Sequence, residues 1–144
     1  MTTSANSVLR LRKHADYQRV YTSSRKQFSR QMSFFYSFRP ADRRSDTPGP
    51  RIGLTVGKVM GKAVDRNRIK RLMRECIRRN ASLINAPVDV ILHPRRTVID
   101  LDFALLDREV ATVFRSIQKE VLKQQAAQPP KQQDAPPVIS PSLQ

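Results

Sequence analysis

Residues 65–83 restrict the fold more than any other stretch of the chain. At about 100° per residue, Ile69, Leu72, Met73, Cys76 and Ile77 fall within one arc of roughly 140° on a helix. Asn67, Lys70, Arg71, Arg74 and Arg78 project from the opposite half, with Arg68 and Arg79 near one boundary and Arg66 near the other. Asp65 is a candidate N-cap. A helix divided in this way must lay its apolar arc on a core built by other elements and turn its cations outward. A merely solvated face usually mixes signs, because like charges four residues apart, such as Lys70–Arg74 and Arg74–Arg78, are mildly destabilising. Here only Glu75 interrupts the cations. The face is mainly arginine, whose planar fork makes paired hydrogen bonds to phosphate that lysine cannot. The pattern predicts a nucleic-acid-binding surface.

The partners of this helix follow from periodicity. His14 to Tyr21 suits a short helix, with Tyr17, Val20 and Tyr21 on one side. Ser29 to Phe38 gathers Phe34, Phe35, Tyr36 and Phe38, a composition that favours a strand. At most one or two of Phe34, Phe35 and Phe38 can face a cleft while the others are core. Pro40 to Pro50 contains three prolines and a glycine and reads as an exposed hairpin-like loop. Arg51 to Gly57 alternates as a second strand, and Val88 to His93 is a short apolar run suited to a buried third. Phe103 to Leu122 predicts a final amphipathic helix with Leu106, Val110, Val113, Phe114, Ile117 and Val121 inward. One sheet covered by helices, an α+β domain, is the economical packing. Residues 1–7 and the Gln/Pro-rich segment 124–144 read as disordered extensions around a single domain spanning 8–123.

Charge then indicates the partner. Twenty-seven Lys and Arg against 12 Asp and Glu give a formal +15, an excess most naturally explained by a polyanion. A membrane surface is also anionic, but the apolar face of the basic helix would then have to meet lipid instead of a core. No run approaches 18 apolar residues, so no membrane-spanning helix is expected, and Met1 to Ser7 shows no secretory signal. A single cysteine, Cys76, permits no internal disulfide and fits a reducing cytoplasm.

Motif evidence lies between Arg51 and Arg78. Arg51-Ile52-Gly53-Leu54-Thr55-Val56, then Lys58, then Ala63-Val64-Asp65-Arg66-Asn67-Arg68-Ile69-Lys70-Arg71-Leu72-Met73-Arg74-Glu75 closely resembles the signature of the bacterial ribonuclease P protein component. Arg-Asn-Arg alone is a weak tripeptide; joined to the preceding strand and the Ile-Lys-Arg-Leu continuation, it is specific. The resemblance extends over roughly residues 9–120, from Arg10-Leu11 to the basic exit of the last strand at Arg95 and Arg96. It implies a single α/β sandwich with a four-stranded sheet, element order αβββαβα, and a left-handed βαβ crossover, with the fourth strand near Ser23 to Ser29. It further implies that Arg66, Asn67, Arg68, Lys70, Arg71 and Arg74 contact a catalytic RNA. A cleft holding Tyr17, Tyr21, Lys58, Arg95 and Arg96 would bind the single-stranded 5′ leader of precursor tRNA. In that family the RNA cleaves the phosphodiester with magnesium bound mainly by RNA, and the isolated protein needs no cofactor. The chain departs from the family at Lys58-Val59, where two basic residues are usual, and at Pro94.

A catalytic site within the protein itself is not supported. Two-metal nucleases need converging carboxylates; the best candidate is Asp100 with Asp102, followed by Asp107 and Glu109, and Asp100 and Asp102 suit the start of the last helix better. His14 and His93 show no ligand spacing, and Cys76 lies on the apolar helix face. No protein partner is evident. The alternative reading is a ribosomal or other structural RNA-binding protein, which composition alone does not separate. A DNA-binding regulator would need base-reading side chains on its recognition helix, whereas this helix offers nearly pure phosphate chemistry.

Overall fold

The computed structural model describes residues 9–39 and 49–127. The expected extension at 1–7, nearly all of the 40–50 loop and the segment from 128 onward lie outside those residues. In chain order the elements are β1 (Leu9–Arg10), α1 (His14–Ser23), β2 (Gln27–Phe28), β3 (Met32–Phe38), β4 (Arg51–Leu54), α2 (Ala63–Asn80), β5 (Val88–Pro94) and α3 (Phe103–Ala127). The α+β class and the order of the expected elements hold, and a two-residue β1 precedes them. The sheet therefore has five strands, ordered β1-β4-β5-β3-β2. β1, β4 and β5 run parallel, while β3 is antiparallel to both β5 and β2. The parallel neighbours β4 and β5 are joined through α2.

Register assigns each strand residue to a face. On one face Phe34, Leu92 and Leu54 form one transverse row, and Tyr36, Val90 and Ile52 the next. α2 and α3 cover this side, and their buried residues Ile69, Met73, Cys76, Ile77, Leu106, Val110, Val113, Phe114, Ile117 and Val121 complete the main core. Every residue expected inward on α3 is buried. Burial pushes the Cys76 thiol up to about 12, so it stays a neutral apolar filler. On the opposite face Ile91, Leu11 and Val20 form a second, smaller cluster beneath α1.

Several boundaries differ from the sequence expectation. α2 begins at Ala63, so Asp65 lies in the first turn and does not cap it; a carboxylate there still complements the helix dipole. Gly61, at φ 124°, closes the 3-10 turn Lys58–Met60 ahead of the helix, a conformation that L side chains rarely adopt. At its other end α2 tightens into a 3-10 turn at Ala81–Leu83. Asn80 Nδ2 donates there to the Cys76 carbonyl at 2.8 Å and to Asp107 Oδ1 at 2.9 Å, tying α2 to α3. β3 starts at Met32, because the chain turns at Ser29, whose N–H donates to the Met32 carbonyl. α3 runs on to Ala127, into residues expected to belong to the tail.

Candidate nucleic-acid interface

α2 presents its cations as the helical spacing requires. Ile69, Met73, Cys76 and Ile77 anchor the inner face, so the intervening residues must turn outward. Asn67, Arg68, Arg71 and Arg74 are exposed, and Arg66 and Lys70 are half-buried. None of these six side chains makes a hydrogen bond or ion pair with another described residue. The Nε of Arg66 is buried and lacks a partner among the described residues. The arginines near the end of the helix behave differently. Arg78 donates to both carboxylate oxygens of Glu75, and Arg79 Nε lies 3.2 Å from Asp107 Oδ1 with its guanidinium 5.7 Å from the Phe103 ring centre.

A groove of about 430 Å³ borders this surface, lined by Arg10, Arg71, Arg74 and Arg78 above an apolar floor of Ile52, Leu54 and Ile77. Partial burial and the adjacent Arg10 hold the Arg74 guanidinium below the ordinary arginine value, with Arg12 adding to the crowding and Tyr17 opposing it. Arg74 thus adjoins the other candidate surface, to which Tyr17 belongs.

That second surface is the sheet face beneath α1. Tyr17 and Tyr21 lie with ring centres 6.4 Å apart. Tyr21 meets the edge of Phe35 at 4.9 Å, and its hydroxyl shares a 2.9 Å hydrogen bond with His93 Nε2. Burial and Lys26 lower the His93 imidazole below its ordinary value, favouring the neutral ring. Burial raises the Tyr17 phenol, with Tyr21 adding to the rise, so it remains a neutral hydroxyl. Tyr17 stands over Gly53, where an added Cβ would come within 2.5 Å of its hydroxyl oxygen. Of the three phenylalanines of β3, Phe35 shares this face, while Phe34 and Phe38 belong to the main core.

Lys58, Arg95 and Arg96 are exposed at the neighbouring end of the sheet. Arg96 lies near Gly61 and Asp65, which places it beside the Lys58 turn and the start of α2. Arg95 follows β5, two residues beyond His93. The structure therefore joins Tyr17 with Tyr21, and Arg96 with the Lys58 turn, as two separate neighbourhoods.

Sequence reasoning missed the residues that hold α1 in place. Asp89 is completely buried, and Arg39 and Asp16 are each 1% exposed. Asp89 Oδ1 accepts from Arg39 Nη1 at 3.0 Å and from Arg51 Nε at 2.9 Å, and its Oδ2 accepts from Arg51 Nη2 at 2.7 Å and from Arg19. Asp16 adds ion pairs to Arg19 at 3.3 Å and Arg51 at 3.5 Å. Burial alone would raise the Asp89 carboxyl, but hydrogen bonds from Arg51, Arg19 and Arg39 carry it below its ordinary value of 3.8. The available signal was an aspartate inside an apolar strand, since a buried charge requires partners.

The candidate metal ligands prove to be engaged elsewhere. Asp107 accepts from Arg79 and Asn80, and Glu109 accepts from Ser29 and from the Gln31 N–H at 3.1 Å. Asp102 directly precedes α3, and its carbonyl accepts from Leu105 and Leu106. Among the described residues no group of three or more His, Cys, Asp or Glu side chains could hold a metal ion.

An α+β sandwich with a row of unpaired basic side chains at the start of α2 on one side and an aromatic sheet face on the other defines a small nucleic-acid-binding protein. Comparison with known proteins narrows this further. The family model Ribonuclease P matches residues 6–118. The ribonuclease P protein component of Syntrophus aciditrophicus is 31% identical over 105 residues, covering 73% of this chain and 83% of the relative. That of Finegoldia magna is 33% identical over 107 residues, covering 74% and 88%. The structure of the Staphylococcus aureus RNase P protein superposes with a TM-score of 0.63 at 28% identity, covering 77% of this chain and 96% of that one. The chain belongs to the ribonuclease P protein family. No helix among the described residues is long and apolar enough to cross a membrane.

Proposed function

We propose a division of labour for this chain within ribonuclease P, the tRNA-processing ribonucleoprotein of which it is an RNA-binding protein component. Arg66, Asn67, Arg68, Lys70, Arg71 and Arg74 anchor it to the catalytic RNA. Tyr17 and Tyr21, flanked by Lys58, Arg95 and Arg96, receive the single-stranded 5′ leader of precursor tRNA. Bond cleavage belongs to the RNA, and the magnesium of the holoenzyme is held mainly there. The protein contributes substrate affinity and discrimination.

The contrast among the arginines carries this reading. Arg19, Arg39, Arg51, Arg78 and Arg79 are all paired with carboxylates, whereas the six residues at the start of α2 have no such partner among the described residues. A helix that leaves this row without carboxylate partners, while the buried Arg39 and the half-buried Arg19 and Arg51 are neutralised, is suited to phosphate. The second surface suits an unpaired leader for a different reason, because any base can stack on an aromatic ring. Holding both RNAs on one cationic body lessens their mutual repulsion.

The test is reconstitution with a bacterial ribonuclease P RNA at low magnesium, following 5′ leader removal from precursor tRNA. The purified chain should stimulate cleavage, and failure to do so overturns the reading. In the same assay Tyr17→Ala should weaken binding of leader-bearing substrate by roughly tenfold, a typical value for one lost base stack. Equal effects on leader-bearing and leaderless tRNA would reject Tyr17 as a leader residue.

A further inference from the structure

Phe28 has no role in the surfaces described so far. It is 65% exposed, in contrast to the half-buried Tyr17, Tyr21 and Phe35. A lone exposed aromatic is ordinary on a protein surface, but the register gives this one a particular position. Phe28 pairs with Ser33, and Ser33 pairs with His93. Residues directly opposite in a sheet point to the same side, so the register sets Phe28 in line with Ser33 and His93, at the β2 edge, where it also borders a groove with Phe34, Glu109, Thr112 and Val113. Two strand spacings, about 10 Å, separate the Phe28 backbone from that of His93, and only the small Ser33 side chain stands between them.

The surroundings are cationic. Lys26 Nζ lies 5.6 Å from the centre of the Phe28 ring, and the same ammonium acts on His93. Arg25, Lys26 and Arg30 are all exposed and make no ion pair with a described residue. From Thr22 to Phe38 the sequence contains no Asp or Glu. The carboxylate that reaches this segment, Glu109, is engaged with Ser29 and the Gln31 N–H. An aromatic ring between unpaired cations is the arrangement by which proteins hold single-stranded nucleic acid without reading its sequence.

We propose that the RNA path over the tyrosines continues across the sheet onto β2, where Phe28 stacks one further unpaired base and Lys26 meets the adjoining phosphate. The continuation rests on the leader-binding reading of Tyr17 and Tyr21. It predicts a footprint extending past His93 to the β2 edge of the sheet.

The experiment measures binding of the reconstituted holoenzyme to precursor tRNAs whose leaders lengthen one nucleotide at a time. Phe28→Ala should reduce affinity for the longest leaders by about tenfold, and the gain from added nucleotides should stop at a shorter leader than in the wild type. Phe28→Tyr should restore both, and Lys26→Ala should reduce long-leader affinity and flatten its salt dependence. Wild-type affinity of Phe28→Ala and Lys26→Ala for long leaders, with Tyr17→Ala defective, would overturn the extension and leave the leader site intact. If Tyr17→Ala is also without effect, the underlying leader reading fails with it. A Phe28→Ala loss that is the same for every leader length, leaderless tRNA included, would equally overturn the proposal.

Discussion

Replacing Asp89 with asparagine tests whether the buried charge cluster maintains the cleft. The substitution keeps the shape of the side chain and one acceptor oxygen, but removes the negative charge that Arg19, Arg39 and Arg51 share. Arg39 is 1% exposed and Asp89 fully buried, so solvent cannot compensate. Breaking a buried pair by removing one partner typically costs about 3–5 kcal/mol. For a domain of this size that corresponds to a fall in melting temperature of roughly 10–20 °C. Thermal and urea unfolding at neutral pH, monitored by circular dichroism, would measure it. The pH dependence has a defined sign. Because the folded carboxyl titrates below its ordinary 3.8, its stabilisation is complete above that value and is lost as pH falls through the lower folded value. Asp89→Asn should therefore abolish part of the acid sensitivity of the wild type below about pH 4. Adding Arg39→Met should recover much of the loss, since an apolar replacement removes the stranded buried charge. A destabilisation by Asp89→Asn of under about 1 kcal/mol, or no rescue by the second substitution, would refute the reasoning.

Gly53→Ala tests the seat of Tyr17 directly. The new methyl would stand 2.5 Å from the Tyr17 hydroxyl oxygen and 2.8 Å from Cζ, so the ring must swing aside. Leader affinity should fall toward that of Tyr17→Ala while the melting temperature changes little; wild-type leader binding would refute the assigned contact. Arg68→Ala combined with Arg71→Ala should weaken catalytic-RNA binding and reduce the slope of log affinity against log salt by about two. An unchanged slope would show that these arginines do not meet phosphate.

Most of the framework was legible in the sequence because it rests on periodicity. The apolar positions of α2 and α3 repeat at helical spacing, and their burial follows. Gln27–Phe28 and Leu9–Arg10 are too short to show a period, and they become strands only through their neighbours β3 and β4. The start of α2, the start of β3 and the end of β4 shifted by a few residues, with turns intervening at Gly61 and Ser29. In the candidate site, the open arginine row and the tyrosine pair were readable from spacing and motif. The support beneath them was not, because Asp16, Arg19, Arg39, Arg51 and Asp89 are distant in sequence and converge only through the sheet register. Phe28 was obscure for the same reason: its place in line with Ser33 and His93 follows from the pairing of β2 with β3, and nothing within its own segment specifies that.

The adjacency of Arg74 to Tyr17 has a thermodynamic consequence. Two polyanions bound on either side of that border share the field of Arg10, Arg12 and Arg74, so each feels the charge the other brings. Linkage makes their effects reciprocal: the factor by which one RNA changes affinity for the other must equal the factor in the opposite direction. Measuring leader affinity with and without the catalytic RNA therefore also determines how much a bound substrate tightens or loosens the ribonucleoprotein itself. Removing a charge at the border should change that coupling in both directions at once.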